Sequence, residues 1–361
     1  MKWLVCSVLT SLFLIGCTVN EKETFQLNRK GFARHFSIDS IGNYQTLTIF
    51  SPKSGEVEKK YALIKRGTTV DLPNDVQKIE VPVKNMAALS TTFIGMLKEL
   101  NALDVVAITT DAQYVWNPQI KARISSGKVA AVSFDQQLAP EDLLKRKVSL
   151  VMFSGFGQDF PNTDKLSQLG VVTMPNYDWE EKHPLGKAEW IKVFGALVGK
   201  EQEAANYFDH LCANYEKAKA NKPKAISQKV LAGCLTGDVW YAPAGESFLA
   251  GIMKDAGMDY IYAQEKGTAS LSLTLERVSK DERKCAVWIN AEAKSLSELN
   301  TINSKLTSFQ VVQKGRVYSY MHQTSFFWEM NAIHPDWLME DLIKIGHDQP
   351  GRLHFYKRLA Q

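Results

Sequence analysis

The chain has 361 residues, 45% of them apolar and 23% charged, with a formal charge of +4. Those values exclude a disordered, collagen-like or low-complexity protein, and a single long apolar run excludes a polytopic membrane protein. The charge is spread with no Lys/Arg block dense enough to argue for nucleic acid, so no nucleic acid partner is expected, and the length predicts two domains that need no disulfide or structural metal.

The apolar run, residues 3–15, follows Lys2. It is shorter than the roughly 20 residues a spanning helix needs and reads as a signal peptide over 1–16. Its end, Leu14-Ile15-Gly16-Cys17, resembles the bacterial lipobox, in which cleavage precedes a Cys that becomes lipidated. The expected mature chain therefore starts at Cys17 and is held at the cell envelope, facing the periplasm, by acyl chains and not by a helix. Residues 21–29 are polar and read as a tether. Three later cysteines remain, Cys212, Cys234 and Cys285, which allow at most one disulfide among them. Cys234 and Cys285 lie in strand-like runs, where free thiols pack as small hydrophobes. No C-x-x-C spacing occurs, so a zinc knuckle is excluded.

Residues 17–75 comprise the anchor, the tether and a β-hairpin region. Strands at 44–50 and 61–65 flank the turn-rich Ser51-Pro52-Lys53-Ser54-Gly55. Over 76–184 the pattern alternates. Strands are predicted at 79–83, 105–109, 129–134, 150–153 and 171–174, with helices at 91–100 and 141–147 between them. Such alternation predicts a parallel α/β lobe. Residues 185–222 break the rhythm with one long helix. Trp190, Phe194, Leu197 and Val198 share a face, as do Ala204, Phe208, Leu211, Cys212 and Tyr215. Gly199 marks a bend, and the whole would reach roughly 50 Å. From 223 to 361 the alternation restarts, with strands at 230–235, 260–262, 286–289 and 315–318. Helices are predicted there at 247–255, from 275 and over 334–345. Ser90 and Ser247 are expected to cap their helices. The fold class is α/β: two Rossmann-like lobes with central parallel sheets, one connecting helix, and a ligand cleft between the lobes.

No G-x-S-x-G, P-loop, H-E-x-x-H or G-x-G-x-x-G is present, so no catalytic residues and no cofactor are expected. Ser154-Gly155-Phe156-Gly157 reads as a tight turn at a strand's end. His183 with Glu180 and Glu181 is a candidate site for a bare divalent ion, and His322 can approach it across a cleft. Aromatic pairs are the stronger signal. Tyr114 and Trp116, Tyr177 and Trp179, Trp240 and Tyr241, and Phe326, Phe327 and Trp328 all follow predicted strands. Loops at the carboxyl ends of parallel strands surround the ligand crevice, so these rings are expected to line it. Four aromatic loops suit a large, flat, partly apolar ligand.

The lobe helices also match. Glu141 precedes the strand at 150 and Glu276 the strand at 286, each at a helix start. With the lipobox, the paired lobes and the long helix, these positions resemble the solute-binding proteins of ATP-binding-cassette importers that have a helical backbone between lobes. Ala88-Leu89-Ser90-Thr91-Thr92, Pro184-Leu185-Gly186-Lys187-Ala188-Glu189-Trp190-Ile191 and Tyr241-Ala242-Pro243-Ala244-Gly245-Glu246-Ser247-Phe248 look like the lipoprotein branch from Bacteroides-type bacteria. The resemblance covers about 78–345 and leaves the hairpin region as an addition.

It implies a monomeric, non-enzymatic protein that captures a metal chelate (cobalamin, a ferric siderophore or haem) for an importer permease. Glu141 and Glu276 would enter Arg pockets on that permease, giving two charge-assisted contacts. The rigid helix implies lobe closure of a few ångströms or less. Ferric catecholates and citrates call for several Arg or Lys residues, and only Lys182 and Lys187 lie near the aromatic loops. Haem calls for an axial ligand, for which His183, His322 or Tyr114 are candidates. The alternatives are a bare divalent-ion binder of the same fold and a surface lipoprotein without a transport role.

Overall fold

The computed structural model describes residues 31–133, 138–224, 228–320, 322 and 326–360. The predicted leader, Cys17 and the tether lie outside them. The chain first builds a four-stranded sheet from β1 (Phe36–Ile41), β2 (Tyr44–Phe50), β3 (Val57–Lys65) and β4 (Val76–Val81), in that order. β2 and β3 form the predicted hairpin, with Leu47 opposite Tyr61. β4 covers most of the strand expected to open the first lobe. It instead adds in parallel to β3, with Ile79 opposite Leu63, because its apolar face completes that sheet's core.

The first lobe is carried by a five-stranded, wholly parallel sheet. Its elements are β5 (Met86–Ala88), α1 (Thr91–Glu99), β6 (Val106–Thr109), α2 (Pro118–Ser125), β7 (Ala130–Ala131), α3 (Pro140–Lys145), β8 (Leu150–Ser154), α4 (Thr163–Gln168) and β9 (Val172–Asn176). The strand order is β7-β6-β5-β8-β9. β5 is only three residues long and fully buried, too short to show a period in sequence.

The connector is three helices where one was expected: α5 (Pro184–Glu189), α6 (Ile191–Val198) and α7 (Glu201–Asn221). Gly199 takes φ 69°, a left-handed cap that ends α6 and redirects the chain. The apolar periodicity still holds on both sides. Trp190, Phe194 and Leu197 are buried, as are Ala204, Phe208, Leu211 and Tyr215. Phe194 packs on Phe93 of α1 at 5.5 Å between rings. One continuous core thus runs from the N-terminal sheet through the connector to the second lobe.

That lobe contains β10 (Lys229–Ala232), β11 (Cys234–Thr236), β12 (Val239–Pro243), α8 (Phe248–Asp255), β13 (Asp259–Tyr260), β14 (Ser270–Thr274), α9 (Leu275–Asp281), β15 (Val287–Ile289), α10 (Leu296–Ile302), β16 (Tyr318–Tyr320) and β17 (Tyr356–Arg358). β13-β10-β15 are parallel, and Val317 bridges in parallel to Trp288. The strand predicted at 230–235 divides at Gly233 (φ 115°), and its second part joins an antiparallel sheet, β11-β12-β14. A side chain at Gly233 would overlap the carbonyl oxygen of Tyr241. Helix Pro335–Gly346 closes the fold, with Trp337 stacked on His334 at 3.7 Å. Of the two expected serine caps, Ser247 accepts a hydrogen bond from the Ala250 N–H, whereas the Ser90 hydroxyl pairs with Thr92.

Candidate functional site

The carboxyl ends of the first lobe's strands and the loops after β15 and β16 enclose a cavity of about 1180 Å³. That is larger than the roughly 300–1,000 Å³ of ordinary small-molecule pockets. Its two walls differ in chemistry. The first lobe supplies Leu89 after β5, Val132 after β7, and Phe153, Phe156 and Phe160 from β8 and its loop. The second lobe supplies Glu292, Lys294 and Glu298 after β15, with Tyr320, His322 and Trp328 beyond them.

Three of the predicted aromatic residues line this cavity: Tyr114, Trp116 and Trp328. Tyr114 ends a single 3-10 turn fixed by the Asp111 carboxylate, which accepts the Gln113 N–H. The main-chain N–H groups of Trp116 and Asn117 donate to Glu329 Oε1 at 2.6 and 2.9 Å, and Lys121 Nζ lies 3.8 Å from the Trp116 ring centre. Trp328 stacks on His322 at 5.8 Å. Both Tyr114 and Trp328 keep over two fifths of their surface exposed, a large apolar area for a ligand to cover.

The other predicted rings are placed elsewhere. Tyr177 is buried beneath the loop at Gly155, and its hydroxyl donates to Glu58 of β3 at 2.9 Å. Trp179 donates to the Gly155 carbonyl at 3.0 Å and sits behind Phe156 at 5.2 Å. Trp240 is fully buried against Trp288 and Phe309, and its indole N–H donates to the Ala232 carbonyl. It is therefore a core residue of the second lobe and not a wall of the cavity. Tyr241, next along β12, points to the outer surface and is exposed, because successive side chains alternate along a strand. Phe326 (φ 51°) packs on the core beside Phe327 without reaching the cavity.

The spacing Phe153, Phe156, Phe160 is visible in the sequence, but around Gly155 and Gly157 it predicts only a tight turn. Tyr320 and Glu292 carry no motif. Glu292 has φ 51°, and its carboxylate accepts hydrogen bonds from the Tyr320 hydroxyl and from Cys234 Sγ, the latter at 3.0 Å. Burial raises the pKa of the Tyr320 hydroxyl strongly and that of the Cys234 thiol to about 12, so both groups hold their protons. All three described cysteines are free thiols. Burial also lowers the pKa of His322, which keeps its imidazole neutral, and its Nδ1 is buried without a hydrogen-bond partner. His183 is engaged outside the cavity. Its Nδ1 accepts the Leu185 N–H at the start of α5, and its ring stacks on Phe32 at 4.5 Å. Among the described residues, no three His, Cys, Asp or Glu side chains converge as metal ligands.

Glu141 and Glu276 are both exposed in the first turns of α3 and α9, the helices that lead into β8 and β15. The sequence pattern of the family described as periplasmic binding protein matches residues 86–323, from β5 past the last cavity histidine. The four-stranded N-terminal sheet lies outside that match. An uncharacterized lipoprotein of Methanocaldococcus jannaschii is 25% identical over 294 residues, covering 77% of this chain and 68% of its own. A periplasmic binding protein from Veillonella parvula superposes with a TM-score of 0.60 over 85% of this chain and 99% of that one, at 13% identity. A periplasmic heme-binding protein from Pseudomonas aeruginosa gives 0.57 over 77% of this chain and 98% of that one, at 12% identity. Both structures share the fold of this chain. With a family match that spans most of both lobes and the cleft between them, the chain belongs to the periplasmic binding protein family.

Proposed function

We propose that this protein is a lipid-anchored solute-binding protein. It captures a large metal chelate (a ferric siderophore, haem or cobalamin) and delivers it to an ATP-binding-cassette import permease. The observation that carries the reading is the cavity of about 1180 Å³, with one wall of phenylalanine and leucine and a rim of Tyr114, Trp116 and Trp328. An apolar wall of that extent fits the face of a macrocycle or a folded siderophore better than a small polar solute. Cys17 would carry the lipid, as the related Methanocaldococcus protein is itself a lipoprotein. Of the three candidate axial ligands, Tyr114 and His322 line the cavity, and a neutral imidazole is the form that binds a metal. The bare-ion alternative draws no support, since His183 and Glu181 are both committed to structural hydrogen bonds.

The test is a tryptophan-quenching titration of the mature protein with haem, cobalamin, ferric siderophores and Zn²⁺. Saturable quenching by at least one chelate is expected. Quenching by Zn²⁺ alone would replace the chelate reading with the bare-ion one. Trp328→Ala should weaken chelate binding about tenfold or more while leaving the thermal midpoint near wild type. Trp240→Ala should do the reverse, costing about 3–5 kcal/mol of stability.

Docking would use Glu141 and Glu276, exposed carboxylates that each fit an arginine fork. Replacing both by Ala should leave chelate affinity unchanged and abolish uptake in cells. Normal uptake by that double variant would end the docking assignment.

A further inference from the structure

We propose that the cavity selects neutral or cationic chelates over anionic ones, and that Glu292 is the residue that sets this preference. The inference rests on the solute-binding reading above and narrows its ligand class.

Among the described residues that line the cavity, the charged groups are Glu292, Glu298 and Lys294. Lys294 is thus the one ammonium facing two carboxylates, with His322 held neutral by burial. Recognition of a multiply anionic chelate requires several arginine or lysine donors to replace its hydration. This wall offers a carboxylate where such a ligand would need a cation.

Glu292 is also fixed in place. The chain reaches it through two left-handed residues, Asn290 (φ 60°) and Glu292 itself (φ 51°), a backbone that favours glycine. Asn290 is held by the Tyr356 hydroxyl at 2.5 Å, Ala291 N–H by the Tyr318 carbonyl, and Ala293 N–H by Ser319 Oγ. Tyr320 and Cys234 both donate to the carboxylate, so it can only be the acceptor in each pair. A strained, over-determined loop that presents a fixed acceptor to a ligand cavity is the arrangement expected of a recognition group. Opposite it, the described first-lobe residues that line the cavity carry no charged side chain, and Lys121 lies behind the Trp116 ring. The ligand that fits has an apolar face for Phe153, Phe156 and Phe160, and an edge of amide, hydroxyl or ammonium donors for Glu292.

Two probe pairs separate charge from shape. One pair is ferric trihydroxamate with a free ammonium group against the trianionic ferric tricatecholate. The other is aquocobinamide, a cationic corrinoid, against haem with its two propionates. In at least one pair the cationic member should bind about tenfold or more tightly. Glu292→Gln should lower that ratio about tenfold, and Lys294→Ala should raise it. Should Glu292→Gln lose its native thermal midpoint, the Lys294→Ala ratio decides alone. Tighter binding of the anionic member in both pairs, or ratios unmoved by the substitution that decides, overturns the charge preference and leaves the chelate reading intact. Failure of all four probes to bind would remove that reading and this inference together.

Discussion

Gly95→Ala is expected to destabilise the protein by about 3 kcal/mol, the upper end of overpacking costs, and to weaken chelate binding with it. Gly95 lies in α1 where that helix crosses the short helix Phe327–Met330, and a Cβ there would overlap the carbonyl oxygen of Glu329. The obstacle is backbone, so no rotamer change can relieve it, and the two helices must move apart. Ile333 lies 3.5 Å from the same point and limits the direction of escape. The functional cost follows from what Phe327–Met330 carries. Trp328 lines the cavity, and Glu329 Oε1 accepts the N–H groups of Trp116 and Asn117 of the first lobe. Separation of the helices therefore displaces two cavity rings at once. Chemical denaturation and a chelate titration on the same variant check both parts. A stability within about 0.5 kcal/mol of wild type would show that the helix contact is not close-packed.

This contact also shows what sequence can and cannot reveal. A glycine within the apolar face of a helix is visible in sequence, but its partner is more than 200 residues away, and nothing local names it. The strands read well where apolar runs were four residues or longer, as at Val106–Thr109 and Leu150–Ser154. Met86–Ala88 gives no strand signal because three buried residues carry no period. The sequence of β4 predicts a strand but not which sheet it joins, since the choice between two apolar sheet edges is made by tertiary packing. At the connector, helical periodicity runs on through Gly199, a glycine that marks the bend in sequence, and its left-handed backbone ends one helix there where a bend within one helix was expected.

The site was legible to the extent that it depends on strand ends. Tyr114, Trp116 and Trp328 follow β6 and β16 closely and reach the cavity. Trp240 and Tyr241 failed that rule because they lie within an antiparallel strand, where one neighbour faces the core and the next faces solvent. Tyr177 failed it because the N-terminal sheet, an addition to the lobe, supplies Glu58 to its hydroxyl and covers that side. Glu292 has no legible signal, since its role depends on a left-handed φ and on Tyr320 and Cys234, distant in sequence.

The N-terminal segment is held by two buried carboxylates, and their removal is the second large effect expected. Glu189 Oε2 accepts the N–H groups of Phe32 and Ala33 at 2.7 and 2.8 Å. Glu181 accepts those of Arg34 and His35 and the indole N–H of Trp190. Glu181→Leu would remove the buried acceptor of the Arg34 N–H and the Trp190 indole N–H, and a loss of about 3–4 kcal/mol is expected. Limited proteolysis is then expected to cut near residue 34 faster than in the wild type. A pH dependence separates the carboxylate from a merely spatial role. Burial, with help from the Glu189 charge, pushes the pKa of Glu181 up to about 7, against hydrogen bonds that favour the anion. The folded state therefore holds a proton that the unfolded chain, with a pKa near the usual carboxylate value, has already released. The stabilisation linked to that proton is complete at low pH, declines as pH rises from about 4.5 to about 7, and is gone above that, a change of about 3 kcal/mol, while the hydrogen bonds to the carboxylate remain. Urea midpoints of wild type should fall across that window, and Glu181→Gln, which cannot titrate, should flatten the curve. An identical slope in the variant would assign the proton elsewhere. Because Glu181 lies in the turn just before α5 and Glu189 is the last residue of α5, the same carboxylates fasten the chain that follows the predicted tether to the start of the connector between the lobes.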